Sequence, residues 1–202
     1  MKIVAFTGAG ISKASGIPTF QDMEGIREKL SIDYFLSNTK DFYDVLHMMK
    51  TNIDKASPNP AHIALAQYDI PVVTMNIDGL HKRAGSKHVV EVHGNFDYVF
   101  CMKCHKHFDF SYTKESLRCD ECNGLLKPNI VLYGENIPRY FEAIEVICSA
   151  DELLVVGTSF YTSTATMMVG AAQRSGIPVT TINMDAEHLV PEYLKKKLDK
   201  AH

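Results

Sequence analysis

Three features of this sequence predict an α/β fold. Short apolar runs stop at glycine or asparagine, helical patterns lie between them, and two Cys-x-x-Cys pairs stand apart in a polar stretch. Strands alternating with helices favour a parallel sheet, because parallel neighbours need a long crossover between them. The chain has 202 residues, 46% of them hydrophobic, which is enough for one sizeable core and a small satellite module.

The elements follow in order. Residues 2–6 form an apolar run that closes at Thr7-Gly8-Ala9-Gly10, as suits a buried parallel strand. Residues 11–15 are expected to make one helical turn, stopped by Gly16 and Pro18. Asn59-Pro60 reads as an N-cap followed by proline at the first helical position, with Ile63, Leu65 and Ala66 turned inward and Pro71 as the stop. Val72 and Val73 begin a second strand, which ends before Asn76-Ile77-Asp78-Gly79. Val89, Val90 and Val92 give a third, ending at His93-Gly94. Tyr140, Ile144, Ile147 and Cys148 recur at helical spacing, and Cys148 is expected as a small buried hydrophobe. Leu153 to Val156 is the clearest buried strand and ends at Gly157-Thr158-Ser159. A helix rich in alanine and methionine follows and closes at Gly176, with Pro178 beyond. Val179 to Ile182 is a last strand, followed by Asn183.

Two stretches break this rhythm. Residues 26–57 are charged and polar with scattered aromatics, and residues 97–126 hold the cysteine pairs with few large aliphatics. The expected organisation is a discontinuous Rossmann-like nucleotide-binding domain at 1–25, 58–96 and 127–202. A small helical insertion occupies 26–57 and a metal-binding module 97–126.

The formal net charge is −3, so no global electrostatic attraction to nucleic acid or an anionic membrane is expected. No apolar run approaches the ~20 residues that span a bilayer. The N-terminus enters a strand without a leader, which points to the cytoplasm. Four of five cysteines then suit a metal better than disulfides. Cys101 and Cys104, with Cys119 and Cys122 after a gap of 14 residues, offer four thiolates to one ion. Such a set fills tetrahedral zinc completely, so the ion is structural, and His105 and His107 are expected to face solvent. The module mixes Lys103, Lys106, Lys114 and Arg118 with Asp97, Asp109, Glu115, Asp120 and Glu121, which is no basic patch.

Gly8-Ala9-Gly10 after a strand lets backbone approach a pyrophosphate, though by itself it is equally a tight turn. Gly157-Thr158-Ser159, Asn76, Asp78 and His93 also follow strand ends, where ligands of open α/β sheets gather. His93 is either a satisfied structural residue or a group for proton transfer near neutral pH. The residues alone reach a zinc-stapled α/β protein with a nucleotide site, and leave the reaction open.

Taken together, these segments resemble the sirtuin family. Gly8-Ala9-Gly10-Ile11-Ser12 with Ser15-Gly16-Ile17-Pro18-x-Phe20 is similar to the family's opening cofactor motif. Thr74-x-Asn76-Ile77-Asp78-Gly79-Leu80-His81 is similar to its second, His93-Gly94 to its catalytic histidine motif, and the cysteine pairs to its zinc site. Pro128-x-Ile130-Val131-x-Tyr133-Gly134-Glu135 resembles its substrate-binding loop, and Gly157-Thr158-Ser159 and Ile182-Asn183 the segments holding the adenosine half of NAD.

The resemblance implies an NAD-dependent protein lysine deacylase acting on acyl-lysine proteins or peptides. Gly8, Ala9, Gly10 and Ser12 would seat the phosphates; Gly157, Thr158, Ser159 and Asn183 the adenosine side. Asn76, Ile77 and Asp78 would hold the nicotinamide end, with Phe20 and Gln21 beside it. Phe20 would keep water from the reacting ribose carbon. His93 would act as general base on a ribose hydroxyl, giving a free lysine, nicotinamide and O-acyl-ADP-ribose. Val131, Tyr133, Gly134 and Glu135 would receive the substrate, which adds as a strand. Gln21 stands where the family usually has arginine, Met75 where it has glutamine, Tyr133 for phenylalanine, and Thr164 where proline is common. Arg27 and Tyr34 have the wrong order and spacing for a pair selecting acidic acyl groups, so acyl preference is open. The alternatives are ADP-ribosyl transfer or NAD hydrolysis on the same scaffold, a non-catalytic NAD or ADP-ribose sensor, and, less favoured, a zinc-ribbon nucleic-acid adaptor.

Overall fold

The computed structural model describes residues 1–19, 25–158 and 162–199. The expectations for Phe20, Gln21 and Ser159 lie outside the described residues.

Five strands form a wholly parallel sheet: β1 (Ile3–Thr7), β2 (Val72–Thr74), β3 (Val89–Glu91), β7 (Glu152–Val156) and β8 (Val179–Ile182), in the order β3-β2-β1-β7-β8. β1 lies at the centre, with Ala5 opposite Val72 on one side and Leu154 on the other. Its side chains alternate between two cores. Ile3 and Ala5 face α4 (Pro60–Gln67) and α8 (Ala186–Leu198), through Leu65, Val190 and Leu194. Val4 and Phe6 face α6 (Tyr140–Cys148) and α7 (Ser163–Arg174), through Ile147 and Met168. A strand covered on both faces needs apolar residues at every position, which is why the run is continuous. The chain leaves β1 toward β2 and β3, and returns through β7 and β8 on the other side. The switch between β1 and β7 opens a crevice at the carboxyl ends of the strands.

α4 begins where expected. Asn59 Oδ1 accepts from the Ala61 amide at 3.0 Å, and the Asn59 amide donates to His62 Nδ1 at 3.4 Å. Its inward face is Ala61, Ala64 and Leu65, at spacings of three and four. Ile63 falls off that stripe and is 41% exposed, contrary to the inward position expected for it. Cys148 is also exposed, not buried: Ala143 and Ile147 fill the core face of α6, and Cys148 lies one residue further round.

A second, antiparallel sheet has the order β5-β4-β6, from β4 (Gly94–Cys101), β5 (His107–Asp109) and β6 (Leu126–Ile130). Against it pack α1 (Ile26–Lys29), α2 (Ile32–Ser37) and α3 (Thr39–Lys55). Phe35, Phe42, Tyr43 and Phe110 meet edge-on or tilted at 5.0–6.4 Å, and the Tyr43 hydroxyl donates to the Leu126 carbonyl at 2.7 Å. The inserted helices and the cysteine-bearing strands therefore share one core. Burying side chains of this size is worth about 1.5–3 kcal/mol each.

Candidate functional site

The metal centre is compact. The Sγ atoms of Cys101, Cys104, Cys119 and Cys122 lie within 4.8 Å of one another, with Cys101–Cys122 at 3.4 Å and Cys104–Cys119 at 3.7 Å. Zinc with ~2.3 Å bonds spaces four tetrahedral sulfurs about 3.8 Å apart, so the set fits that ion. The amides of Lys103 and Cys104 point at Cys101 Sγ, at 3.4 and 3.5 Å. His105 and His107 are exposed.

The larger site is a cavity of about 1330 Å³ at the carboxyl edge of the parallel sheet. Ala9, Gly10, Asn76, Ile77, Asp78, His93, Gly157, Thr158 and Asn183 line it, as do Val131, Tyr133, Gly134 and Glu135. Gly8 and Ser12 are set behind that wall. The cavity thus gathers segments up to 174 residues apart in sequence, from Ala9 to Asn183.

Its floor depends on two glycines. The Gly10 amide donates to the Gly157 carbonyl at 2.8 Å, and a Cβ on Gly10 would lie 2.6 Å from Gly157 Cα. The two strand ends touch backbone to backbone, which no side chain permits. Beneath the loop runs a buried polar chain. The Ser12 hydroxyl donates to Asp78 Oδ2 at 2.7 Å and accepts from Asn76 Nδ2 at 3.1 Å. Asn76 Nδ2 also reaches the Gly8 carbonyl at 3.2 Å, and Asp78 Oδ1 accepts the Leu80 amide at 2.9 Å. Burial raises the Asp78 pKa, against the bonds from Leu80, Ser12 and Asn76. Asn59 ties this layer to α4, donating to the Ile11 carbonyl at 2.7 Å and Ser15 Oγ at 3.0 Å. His81 Nε2 lies 2.9 Å from Thr7 Oγ1, and its ring sits 4.8 Å from that of His62. Burial pushes His62 down to about 4 and His81 well below its usual value, so both stay neutral.

His93 follows β3 and sits half-buried on the cavity wall. Its Nδ1 is 3.0 Å from the Met75 carbonyl oxygen and its Nε2 3.3 Å from Thr164 Oγ1. A carbonyl only accepts, so Nδ1 carries the proton and Nε2 keeps a lone pair. Burial lowers the His93 pKa, partly offset by the Met75 carbonyl. Gly94, at φ +76°, leaves no room for a side chain: a Cβ would stand 2.0 Å from the Asn129 carbonyl oxygen.

The segment after β6 runs directly beside this histidine. The Val131 amide donates to the His93 carbonyl at 2.9 Å. The Tyr133 amide donates to the Leu30 carbonyl and its carbonyl accepts the Ile32 amide, both at 3.0 Å. Arg27 stands over the Tyr133 ring at 5.0 Å. The Glu135 carboxylate turns inward, accepting the Leu132 amide at 2.8 Å and pairing with Lys127 Nζ at 3.0 Å. On the far wall, Asn183 Oδ1 accepts the Thr158 amide at 3.0 Å.

Sequence reasoning missed Lys127, His62 and the part Asn59 plays beyond its cap. A lysine inside a short apolar strand is a signal that was there to read, since lysine is rarely buried unless paired. The tilted contact of His62 with His81 had none, because its partners lie 19 residues apart in sequence.

The sequence profile of the Sir2 family matches residues 8–163. The chain belongs to the Sir2 family. An NAD-dependent protein deacetylase of Thermotoga maritima is 38% identical over 199 residues, covering 90% of this chain and 81% of that protein. NAD-dependent protein deacylase 2 of Archaeoglobus fulgidus is 37% identical over 218 residues, covering 98% and 86%. Among solved structures, a Sir2 complex with the inhibitor EX-527, 2'-O-acetyl-ADP-ribose and a deacetylated p53 peptide superposes with a TM-score of 0.84. It is 34% identical and covers 97% of this chain and 94% of that one. A Sir2 protein bound to a propionylated peptide gives 0.86 at 33% identity, with coverage of 97% and 93%. The Sir2 fold of this chain is thus the Rossmann-like sheet with a four-cysteine module that its sequence predicts.

Proposed function

We propose that this Sir2-family chain is an NAD-dependent protein lysine deacylase. It transfers the acyl group of a modified lysine to ADP-ribose and releases nicotinamide. The observation that carries this is the wall shared by His93, Asn76 and Asp78, with Val131 hydrogen-bonded to His93. A proton acceptor, a polar recess and the segment that follows β6 meet in one cavity. Relatives named as deacetylases and deacylases, and Sir2 structures holding acylated peptides, support the same reading.

The residues fit NAD. Gly10 and Ala9 bring bare backbone to the sheet edge, suited to a pyrophosphate, and Thr158 and Asn183 offer polar groups across the crevice. Ser12 and Gly8 act behind them, by holding Asn76 in place. Asn76 and Asp78 receive the nicotinamide end. When bound, NAD supplies the ribose carbon that parts from nicotinamide and takes the acyl oxygen. His93 Nε2 takes a ribose hydroxyl proton, and the Met75 carbonyl keeps Nδ1 protonated so that Nε2 stays available. Val131 and Gly134 receive the peptide backbone. Tyr133, with its amide and carbonyl already bonded to Leu30 and Ile32, lines the segment, and Glu135 shapes their loop. Phe20, Gln21 and Ser159 belong to this reading through the family motifs. Zinc braces the module carrying β4 and takes no part in the chemistry.

We assign 1–25, 58–96 and 127–202 to the NAD-binding part, 26–57 to the helical insertion and 97–126 to the zinc module. The last two share one core, and β4 and β6 run across the boundaries of the zinc module. Among the described residues no helix is long and apolar enough to cross a membrane. We place the protein in the cytoplasm.

The test is an assay over a panel of acyl-lysine peptides with mass spectrometry of the products. O-acyl-ADP-ribose from the wild type, lost in His93→Ala while NAD binding persists, is the expected result. ADP-ribose on protein, or plain NAD hydrolysis, would overturn it in favour of transfer or glycohydrolase activity. Binding with no nicotinamide release would mark a sensor.

A further inference from the structure

The catalytic imidazole is held from both sides. Met75 offers a carbonyl to Nδ1 at 3.0 Å, and Thr164 offers a hydroxyl to Nε2 at 3.3 Å. Because the carbonyl fixes the proton on Nδ1, Nε2 has one in-plane lone pair and no hydrogen. The Thr164 hydroxyl must therefore donate to it. Thr164 is 6% exposed, in the first turn of α7, so water competes poorly for that bond.

The start of α7 is itself fixed to the same residue. Thr162 Oγ1 accepts the Ala165 amide at 3.3 Å, capping the helix, and donates to Met75 Sδ at 3.6 Å. The clamp around the ring runs from Met75 through Thr162 to Thr164. It presents the Thr164 hydroxyl in a set direction.

One lone pair serves one strong donor. In the deacylase reading, on which this inference rests, the ribose hydroxyl must occupy the same Nε2 position. We propose that Thr164 is a positioning residue that caps the base: its hydroxyl holds the His93 Nε2 lone pair in the free protein and yields it to the ribose hydroxyl. Its side chain turns about χ1 to do so. Losing the cap then favours the cofactor-bound state, since the free protein no longer holds a bond that binding must break. The alternative role, support of the base, carries the opposite sign.

The variants are T164V, which keeps shape and removes the hydroxyl, and T164P, which the first helical turn accommodates. T164S keeps the hydroxyl. NAD affinity is measured by calorimetry. T164V and T164P are expected to bind NAD about two- to fivefold more tightly, the range of a modest hydrogen bond. T164S restores the wild-type affinity. A purely structural role can only loosen the site, so a gain is diagnostic. In protein with 15N-labelled histidine, assigned by the loss of a signal in H93Q, the His93 Nε2 resonance of T164V should move toward an unbonded acceptor nitrogen, without any ligand.

Unchanged or weaker NAD binding in T164V and T164P, with wild-type binding intact, overturns the cap and leaves the deacylase reading standing. An Nε2 resonance that T164V does not move overturns it as well. If NAD fails to bind the wild type, the deacylase reading falls first, and the cap falls with it.

Discussion

Replacing Lys127 by methionine removes the cation paired with Glu135 in the proposed substrate loop while keeping the length of its stem. Lys127 is nearly buried, its side chain 10% exposed. Its Nζ lies 3.0 Å from Glu135 Oε2, 3.0 Å from the Ile130 carbonyl and 3.4 Å from the Pro128 carbonyl, with the Phe100 ring at 5.6 Å. Charged hydrogen bonds contribute roughly 1.5–3 kcal/mol each, and relief of the buried ammonium's desolvation returns several kcal/mol. The residual loss comes from Glu135, left with the Leu132 amide at 24% side-chain exposure. Partial exposure puts that loss below the 3–5 kcal/mol of a fully buried broken pair, at about 2–4 kcal/mol. For a chain of this length the midpoint of thermal unfolding falls by about 5–15 °C. Adding E135Q to K127M removes the stranded charge and recovers part of the fall. Circular dichroism reads the stability, and peptide titration the function: with residues 131–135 as the proposed substrate segment, the KM for acyl-lysine peptide rises more than kcat falls. A K127M protein with unchanged midpoint and unchanged peptide KM refutes the reasoning.

The remaining expectations concern protons, metal and cofactor. His62 is neutral in the fold at about 4 against 6.5 in the open chain, so its stabilising effect is complete above pH 6.5 and lost as the pH falls toward 4. By pH 5 that residue alone costs about 2 kcal/mol, with His81 and His93 adding in the same sense. Asp78, raised by burial, opposes part of the loss as the pH nears 3.8. Urea midpoints measured from pH 7 to 5 should fall, and a flat profile counts against buried neutral histidines. With His93 as the proposed base, its lowered pKa places the acid limb of the activity profile below 6.5, which kcat/KM against pH will show. Stripping zinc with a chelator removes on the order of 10 kcal/mol from the core that contains Cys101 and Cys119, and near-UV circular dichroism should collapse and return only with added zinc, whereas C119S should lose it without recovery. Met75→Gln supplies an amide at the cofactor wall and should lower the KM for NAD about two- to tenfold, one hydrogen bond's worth; an unchanged KM removes Met75 from cofactor binding.

The parallel sheet was readable because it is covered on both faces. Ile3-Val4-Ala5-Phe6 and Leu153 to Val156 carry no polar residue, and such runs have few other homes in a chain of this size. The four thiolates were readable because a C-x-x-C pair encodes its own geometry. β4 was not legible. Gly94-Asn95-Phe96-Asp97 alternates imperfectly and its register with β6 shifts between Gly94 and Val99. Ile63 and Cys148 differ from expectation for one reason: apolar character does not fix direction, and the helix phase puts Leu65 and Ile147 inward. The site residues at strand ends were legible as types, but their partners were not. That Ser12 serves Asp78 and Asn76 from behind the wall, or that Glu135 turns toward Lys127, depends on how distant segments pack.

The departures from the family pattern gain meaning from their neighbourhood. Met75 and Thr164 lie 89 residues apart in sequence, yet both touch His93, one by its carbonyl at 3.0 Å and the other by its hydroxyl at 3.3 Å. Thr162 joins them through the Met75 sulfur at 3.6 Å. A proline at 164 would bring no hydroxyl to Nε2, and a glutamine at 75 would set a strong polar group where Thr162 now meets a weak acceptor. The two exchanges therefore alter one contact unit around the base, and their effects should not add. Contacting residues that share a partner couple by about 0.5–3 kcal/mol. A cycle of M75Q, T164P and the double variant, read in NAD affinity, separates this from two independent changes. Strict additivity would mean that the ring does not transmit between its two sides.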